Sequence, residues 1–157
     1  MIFDTHAHYD DRKFNKDRDE LMKQLRAAGI ERIVDIGADI ESTRRAVDLA
    51  KQYDFIYAAA GVHPSDVDCL DERSFQWLTC LVEESVEEKG KIVAVGEIGL
   101  DYYWEKAPER RKQQKYWFEQ QMELARKTGL PVVIHSREAA KDTWDMMDGL
   151  KCEDIGG

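Results

Sequence analysis

The sequence has little proline, little cysteine and no long apolar run. Only three of its 157 residues are proline and three are cysteine, and Cys69, Cys80 and Cys152 form no CxxC pair. An odd number of unclustered thiols is typical of reduced intracellular proteins, so we predict no disulfide and no zinc knuckle. No stretch approaches the about 18 uninterrupted apolar residues of a membrane span, and the first residues lack the pattern of an export signal. These absences predict a cytoplasmic protein without membrane contact.

Basic residues are also scarce relative to acidic ones. The chain has 23 Lys and Arg against 32 Asp and Glu, a formal net charge of −9. This balance argues against a broad, sequence-independent grip on the phosphates of a nucleic acid, which needs many basic contacts. A nucleic-acid substrate would therefore need another anchor. With 43% hydrophobic residues, the composition predicts one folded domain over residues 1–157.

Short apolar runs alternate with longer amphipathic runs along the whole chain, which predicts an α/β protein built of five strand–helix units. The predicted strands are Ile2–His6, Arg32–Gly37, Phe55–Val62, Ile92–Ile98 and Pro131–His135. The predicted helices are Lys16–Ala28, Ile40–Gln52, Asp71–Lys89, Pro108–Thr128 and Arg137–Leu150. The strands are rich in Val, Ile and Ala, as strands of a parallel sheet buried on both faces are.

Two architectures fit five parallel units. One is an open doubly wound sheet, which the chain length favours because a complete TIM barrel usually takes about 250 residues. The other is the first five of the eight units of a TIM barrel, which the motifs described below favour. In both, functional side chains gather at the carboxyl ends of the strands.

The first candidate motif is His6-Ala7-His8 at the end of the first strand. Residues two apart on a strand point to the same face, so both imidazoles can bind one cation. An HxH pair held only by hydrogen bonds is the alternative, and the motif alone does not decide between them.

The second candidate is Glu97, which follows an apolar strand directly in Lys91–Asp101. A buried carboxylate without a partner costs several kcal/mol, so Glu97 needs a cation or a strong hydrogen-bond partner. Gly96 and Gly99 leave room for a close approach. Pairing with an Arg or Lys is the alternative explanation.

The third candidate is His135, which follows four apolar residues of the fifth strand. Three of the five strands thus deliver a His or Glu to the same end of the sheet, which makes coincidence the weaker explanation. Nitrogen and carboxylate ligands without thiolate suit Mg, Mn or Zn, and Glu97 can bridge two such ions. The pattern predicts a two-metal hydrolytic site with His6, His8, Glu97 and His135 as ligands and Glu97 as the central catalytic group.

Further candidates lie in the loops at the same end. His63 ends the third strand beside Pro64 and is predicted to contact substrate, with a structural role in the loop as the alternative. Asp101 and Tyr103 follow Glu97 and are predicted either to contact substrate or to orient a metal ligand. The sequence has no GxSxG turn, no GxxxxGK[ST] loop and no GxGxxG after a strand, so it lacks the usual signals of a serine nucleophile or a nucleotide-binding loop.

Four motifs in register resemble the TatD family of metal-dependent hydrolases: FDTHAHYD at 3–10, GVHP at 61–64, VGEIGLDYY at 95–103 and PVVIHSREAAKDT at 131–143. The resemblance implies an amidohydrolase-type TIM barrel and a 3′ to 5′ exodeoxyribonuclease that hydrolyses phosphodiesters at a DNA strand end with metal-activated water. It also implies that His6 and His8 bind one of two divalent ions, that Glu97 bridges both, that His135 binds the second, and that His63 lies near the scissile phosphate. A metal-dependent ester or amide hydrolase, such as a D-aminoacyl-tRNA deacylase, is the alternative.

The chain ends after its fifth unit, whereas the resemblance implies a sixth strand with another metal-binding histidine and an eighth with a metal-binding aspartate. We therefore expect weak hydrolysis, and a non-catalytic metal-binding fragment is a further alternative. We also expect the first and fifth strands to have unpaired edges and the barrel interior to expose Val93, Val95 and Val133, which predicts self-association.

Overall fold

The computed structural model describes residues 2–150 and 155–156. The strands are β1 (Ile2–Ala7), β2 (Ile30–Ile36), β3 (Ile56–Ala60), β4 (Ile92–Asp101) and β5 (Val132–Arg137). The helices are α1 (Arg18–Ala27), α2 (Ile40–Gln52), α3 (Glu72–Glu87), α4 (Pro108–Thr128) and α5 (Ala140–Gly149). Two 3₁₀ turns lie at Arg12–Phe14 and Pro64–Cys69. The five predicted strand–helix units are confirmed.

The strands form one five-stranded sheet in the order β1-β2-β3-β4-β5. Each neighbouring pair is parallel. A doubly wound sheet reverses its strand order at a switch point, whereas a barrel adds each new strand on the same side. The doubly wound alternative is therefore wrong, and the sheet is a curled, partial TIM barrel.

The predicted bounds of α2 and α4 are confirmed, whereas α1, α3, α5 and the strands differ from the predictions by a few residues at one or both ends. Capping boxes at Asp39 and Asp71 fix the starts of α2 and α3. Each aspartate side chain accepts from the N–H of the serine three residues later, and the hydroxyl of that serine accepts from the backbone N–H of the aspartate. By contrast, β4 extends past the predicted Ile98 to Asp101. The extension follows from the pairing of Asp101 with Arg137 at the end of β5, and it brings Asp101 to the edge that carries the candidate ligands.

Two apolar layers lie on opposite faces of the sheet. The outer core joins the strands to the helices and includes Ile33, Ile56, Leu78, Phe118 and Met122. The inner wall contains strand residues alone and faces the barrel interior. Its members are Val34, Ile36, Ala59 and Ala94, with Tyr57, Val93 and Val133 partly buried.

Irregular pairing in β4 decides which of its residues face the interior. Ala58 pairs with Ile92 and Ala59 with Ala94, so Val93 is an extra residue relative to β3. An extra residue reverses the alternation of faces beyond it. Val95 consequently packs in the outer core.

The prediction that Val95 faces the interior is thus wrong. Val93 and Val133 do belong to the inner wall, as predicted. A second irregularity follows in β4, because Gly96 pairs with Val133 and Ile98 with Ile134, which leaves Glu97 between them. This second shift returns Glu97 to the interior face.

No helix in the described part of the chain is long and apolar enough to cross a membrane. Cys69 and Cys80 are exposed free thiols. Cys152 lies outside the described residues.

Candidate metal centre

Two groups of potential ligands meet at the carboxyl end of the sheet. One contains His6, His8 and Glu97, and the other contains His63, Glu97 and His135. Within each group the ligand atoms lie within 4.8 Å of one another. Glu97 belongs to both groups, as a bridging ligand must. The structure therefore brings together all four residues predicted as metal ligands.

The HxH pair lies where β1 ends, with its two rings 5.2 Å apart between centroids. His8 Nδ1 lies 2.9 Å from the carbonyl oxygen of Ile36. A carbonyl only accepts, so Nδ1 carries the proton and Nε2 keeps its lone pair for a cation. This backbone contact sets the tautomer that a metal-binding histidine needs.

Glu97 lies between the two groups of histidines, and its side chain is 12% exposed. One carboxylate oxygen, Oε2, lies 3.3 Å from His6 Nε2, and the other, Oε1, lies 3.0 Å from His135 Nδ1. Burial pushes the pKa of Glu97 upward, but the hydrogen bond from His135 and the neighbouring charges of His63 and His6 outweigh it, so the pKa is lowered. Glu97 is thus an ionised carboxylate with one oxygen for each side.

His135 lies between two carboxylates. Its Nδ1 faces Glu97, and its Nε2 lies 3.0 Å from Oδ2 of Asp101. The hydrogen bond to Glu97 is the largest influence and, with that to Asp101, raises the pKa of His135 against the effect of burial. His135 Nδ1 and Glu97 Oε1 share a proton in this arrangement. When that proton is released, the lone pairs of the same two atoms can bind a divalent cation, so these residues fit a metal.

Asp101 is 1% exposed and points at His135. Its other oxygen, Oδ1, accepts hydrogen bonds from the backbone N–H groups of Tyr103 and Trp104 at 3.0 and 3.1 Å. Of the two roles predicted for Asp101, these contacts match the orientation of a ligand. Tyr103 has an exposed side chain beside the site.

His63 follows β3 and packs against His135, with the ring centroids 4.2 Å apart. Its Nδ1 accepts a hydrogen bond from the Ser65 N–H at 3.1 Å. Burial, aided by the charge of His135, lowers the pKa of His63 and so favours the neutral form of the ring. A neutral ring that accepts at Nδ1 carries its proton on Nε2, which makes Nε2 a donor rather than a metal ligand.

Two buried glutamines on α4 hold the loops of the site, a role that was not predicted from the sequence. Gln121 accepts from the Val62 N–H at 2.7 Å and donates to the Val62 carbonyl at 3.2 Å. Gln114 accepts from the Asp101 N–H and donates to the carbonyls of Pro64 and Asp101. The sequence contains one indication of this role. The two glutamines are seven residues apart on the apolar face of one helix, where buried polar groups need hydrogen-bond partners.

The predicted close approach at the glycines is confirmed. Gly99 has a φ of +137°, and a Cβ built there would lie 2.0 Å from the carbonyl oxygen of His135. A Cβ on Gly96 would lie 2.6 Å from Cβ of Val133. The absence of side chains at both positions lets β4 and β5 come together at the site.

The fold and this cluster define a class of protein, a TIM-barrel type chain with a candidate divalent-metal centre at the carboxyl ends of its strands. Residues 3–156 match the family described as TatD related DNase. The chain belongs to the TatD family.

Similar proteins carry names of hydrolases and nucleases. "Uncharacterized metal-dependent hydrolase YabD" of Bacillus subtilis is 40% identical over 157 residues, which are 100% of this chain and 59% of that protein. "3'-5' ssDNA/RNA exonuclease TatD" of Cronobacter sakazakii is 32% identical over 138 residues, which are 88% of this chain and 50% of that protein.

Solved structures agree with the fold. The crystal structure of YJJV, a TatD homolog from Escherichia coli, superposes with a TM-score of 0.83 at 28% identity over 98% of this chain and 57% of that one. A TatD family protein from Entamoeba histolytica gives 0.85 at 23% identity over 96% of this chain and 54% of that one, a likeness of fold alone. The chain spans about half the length of the proteins it matches.

Proposed function

We propose that this chain carries a two-metal centre that hydrolyses phosphodiester bonds at the 3′ end of a DNA strand. The observation that supports the proposal is the position of Glu97, with one carboxylate oxygen 3.3 Å from His6 and the other 3.0 Å from His135. A carboxylate between two groups of histidines can bridge the two closely spaced ions of a two-metal hydrolytic site. The name of the Cronobacter sakazakii relative, an exonuclease, supports the choice of a nucleic-acid strand end.

Each metal would be held by a different set of side chains. His6, His8 and Glu97 would hold one ion, and Glu97 and His135 the other, with Mg, Mn and Zn suited to these ligands. When bound, such ions act as Lewis acids that polarise a phosphate oxygen and make water a stronger nucleophile.

The other residues of the site would bind and orient. His63, neutral with its proton on Nε2, would donate a hydrogen bond to an oxygen of the scissile phosphate. Asp101 would hold His135 so that Nδ1 faces Glu97. Tyr103 would contact the substrate beside the site. The strand end would be held through its terminal phosphate, so the overall charge of −9 is compatible with such a substrate.

The test is cleavage of a single-stranded DNA labelled at its 5′ end, with and without Mn²⁺. We expect a ladder that shortens from the 3′ end, that disappears with excess EDTA and that is lost in Glu97→Gln. Glu87→Gln is the matched control, because Glu87 is an exposed carboxylate on α3. Cleavage that persists in EDTA, with contaminating nuclease excluded, contradicts the proposal.

An aminoacyl ester assayed in parallel separates the alternatives. Metal-dependent hydrolysis of the ester without cleavage of DNA would replace the proposal with an ester hydrolase. Metal binding without hydrolysis of either substrate would identify the chain as a non-catalytic metal-binding unit.

A further inference from the structure

An exposed pair of aromatic side chains lies directly after β4, beside the metal centre. Tyr103 is 39% exposed and Trp104 is 66% exposed. Their rings meet edge to face with centroids 4.6 Å apart. Large aromatic surface in water is unfavourable unless something covers it, so an exposed tryptophan next to a candidate active site indicates a binding surface.

A cation completes this surface. Arg137 ends β5, two residues after His135, and its guanidinium carbon lies 4.0 Å from the ring centroid of Tyr103 and 5.6 Å from that of Trp104. The Arg137 carbonyl also accepts from the Tyr102 N–H at 2.9 Å. We call Tyr103, Trp104 and Arg137 the aromatic platform.

The platform is tied to the metal centre through one carboxylate. Asp101 bonds His135 with Oδ2 and the N–H groups of Tyr103 and Trp104 with Oδ1. The same buried side chain therefore sets the orientation of a candidate ligand and the path of the aromatic loop. A substrate atom at the metal centre would have the platform as an immediate neighbour.

The chemistry of the platform selects one kind of occupant. Aromatic rings stack on the flat faces of bases, and a guanidinium can stack as well while its N–H groups bind phosphate. The faces of a base are accessible to such a platform only where the base is unpaired and unstacked. An apolar protein surface would leave the Arg137 charge without a partner, whereas a nucleic-acid strand supplies both flat bases for the rings and phosphates for the guanidinium.

We propose that the aromatic platform stacks an unpaired base of a single DNA strand whose end lies at the metal centre. The inference rests on the proposed function, and it adds the side chains that would hold a base and its phosphate next to the metal centre. Trp104 would supply the stacking face, and Arg137 the contact to the adjacent phosphate.

The test is the affinity of the chain for a short fluorescent oligothymidylate, measured by anisotropy at low ionic strength in EDTA. We expect Trp104→Ala to weaken binding about 5- to 150-fold, the equivalent of ~1–3 kcal/mol per stacked base. Trp144→Ala is the matched control, because Trp144 on α5 is 69% exposed. We expect the control to bind like the unmodified chain. Arg137→Ala should also weaken binding and lower the slope of log affinity against log salt by about one.

A second ligand isolates stacking from other effects. An oligonucleotide of the same length whose positions near the 3′ end are abasic keeps the phosphates but has no base to stack. We expect the unmodified chain and Trp104→Ala to bind this ligand equally. An equal loss on both ligands, the same loss in Trp144→Ala, or no binding of the intact strand would overturn the proposal. Because EDTA prevents metal-dependent cleavage, a failure of the proposed hydrolysis leaves these results unchanged.

Discussion

The carboxylate of Asp101 and the imidazole of His135 meet at 3.0 Å between Oδ2 and Nε2. This contact leaves Nδ1 of His135 directed at Glu97. Carboxylates that hold a metal-binding histidine fix its tautomer, and their loss typically costs about 10- to 100-fold in metal affinity.

We predict that Asp101→Asn weakens Mn²⁺ binding by about that factor, 10- to 100-fold. The amide oxygen can still accept from Tyr103 and Trp104, but the amide nitrogen is a donor and cannot accept from His135 Nε2. Calorimetric titration measures the change, with Asp48→Asn, an exposed position on α2, as the control. Unchanged affinity in Asp101→Asn would remove Asp101 from the site.

Gln121 on α4 is buried. Its side-chain amide accepts from the N–H of Val62 and donates to the carbonyl of Val62, the residue before His63. We predict that Gln121→Leu lowers the free energy of unfolding by about 2–6 kcal/mol, because it leaves a buried N–H and a buried carbonyl unpaired at ~1–3 kcal/mol each. Urea denaturation measures this, and Gln76→Leu at an exposed position on α3 should change it by less than about 1 kcal/mol. Equal stability of the two variants would show that the contacts to Val62 contribute nothing.

Asp35 on β2 is fully buried and accepts from the backbone N–H groups of Tyr9 and Asp10. Burial, and then repulsion from Asp10, raises the pKa of Asp35 from 3.8 to about 7, against the effects of the two backbone hydrogen bonds and of Arg18. Between these values the folded protein keeps a proton that the unfolded chain has lost. The contribution of Asp35 to the free energy of unfolding therefore falls as the pH rises through this window.

We predict that the stability of the unmodified chain, relative to that of Asp35→Asn, falls between pH 4 and about 7 and is constant above it. Thermal denaturation of both chains in EDTA across this range measures the difference. A difference that stays flat, or that rises with pH, would show that Asp35 is ionised throughout the range.

Strand β1 pairs only with β2 in the described sheet, and its Ile2 and Phe3 are 53% and 56% exposed. An unpaired strand edge beside exposed apolar side chains promotes association. We predict that the chain self-associates and that Phe3→Lys shifts its sedimentation toward the monomer. Trp144→Lys changes a still more exposed apolar position, on α5, and should leave the distribution unchanged. A monomeric unmodified chain would contradict this prediction.

The number and the order of the units could be predicted because each apolar run is short and each amphipathic run has a helical period. The meeting of His6, His8, Glu97 and His135 could be predicted because a parallel sheet brings the carboxyl ends of its strands together. The side of the sheet on which Val95 lies could not be predicted. It depends on the extra residue at Val93, which becomes evident only from the pairing of β4 with β3.

The partner of Asp101 and the role of Gln114 could not be predicted from the sequence pattern. Both are buried polar residues whose partners are distant in sequence: Asp101 bonds His135, and Gln114 bonds the carbonyl of Pro64. Polarity and spacing indicate that such residues need partners but do not name them. Packing of α4 against the loops supplies that information.

The most direct measurement of the central claim, that Glu97 serves both metals, is the stoichiometry of Mn²⁺ binding in two variants. In the proposed assignment the first ion would have three ligands among the described residues and the second would have two, so we expect two unequal sites in the unmodified chain. His135→Ala should remove the weaker site and keep the tighter one. Glu97→Ala should weaken both, each by at least the ~10-fold that loss of a mere supporting residue costs. A Glu97→Ala chain that keeps either site at full affinity would contradict the bridging role.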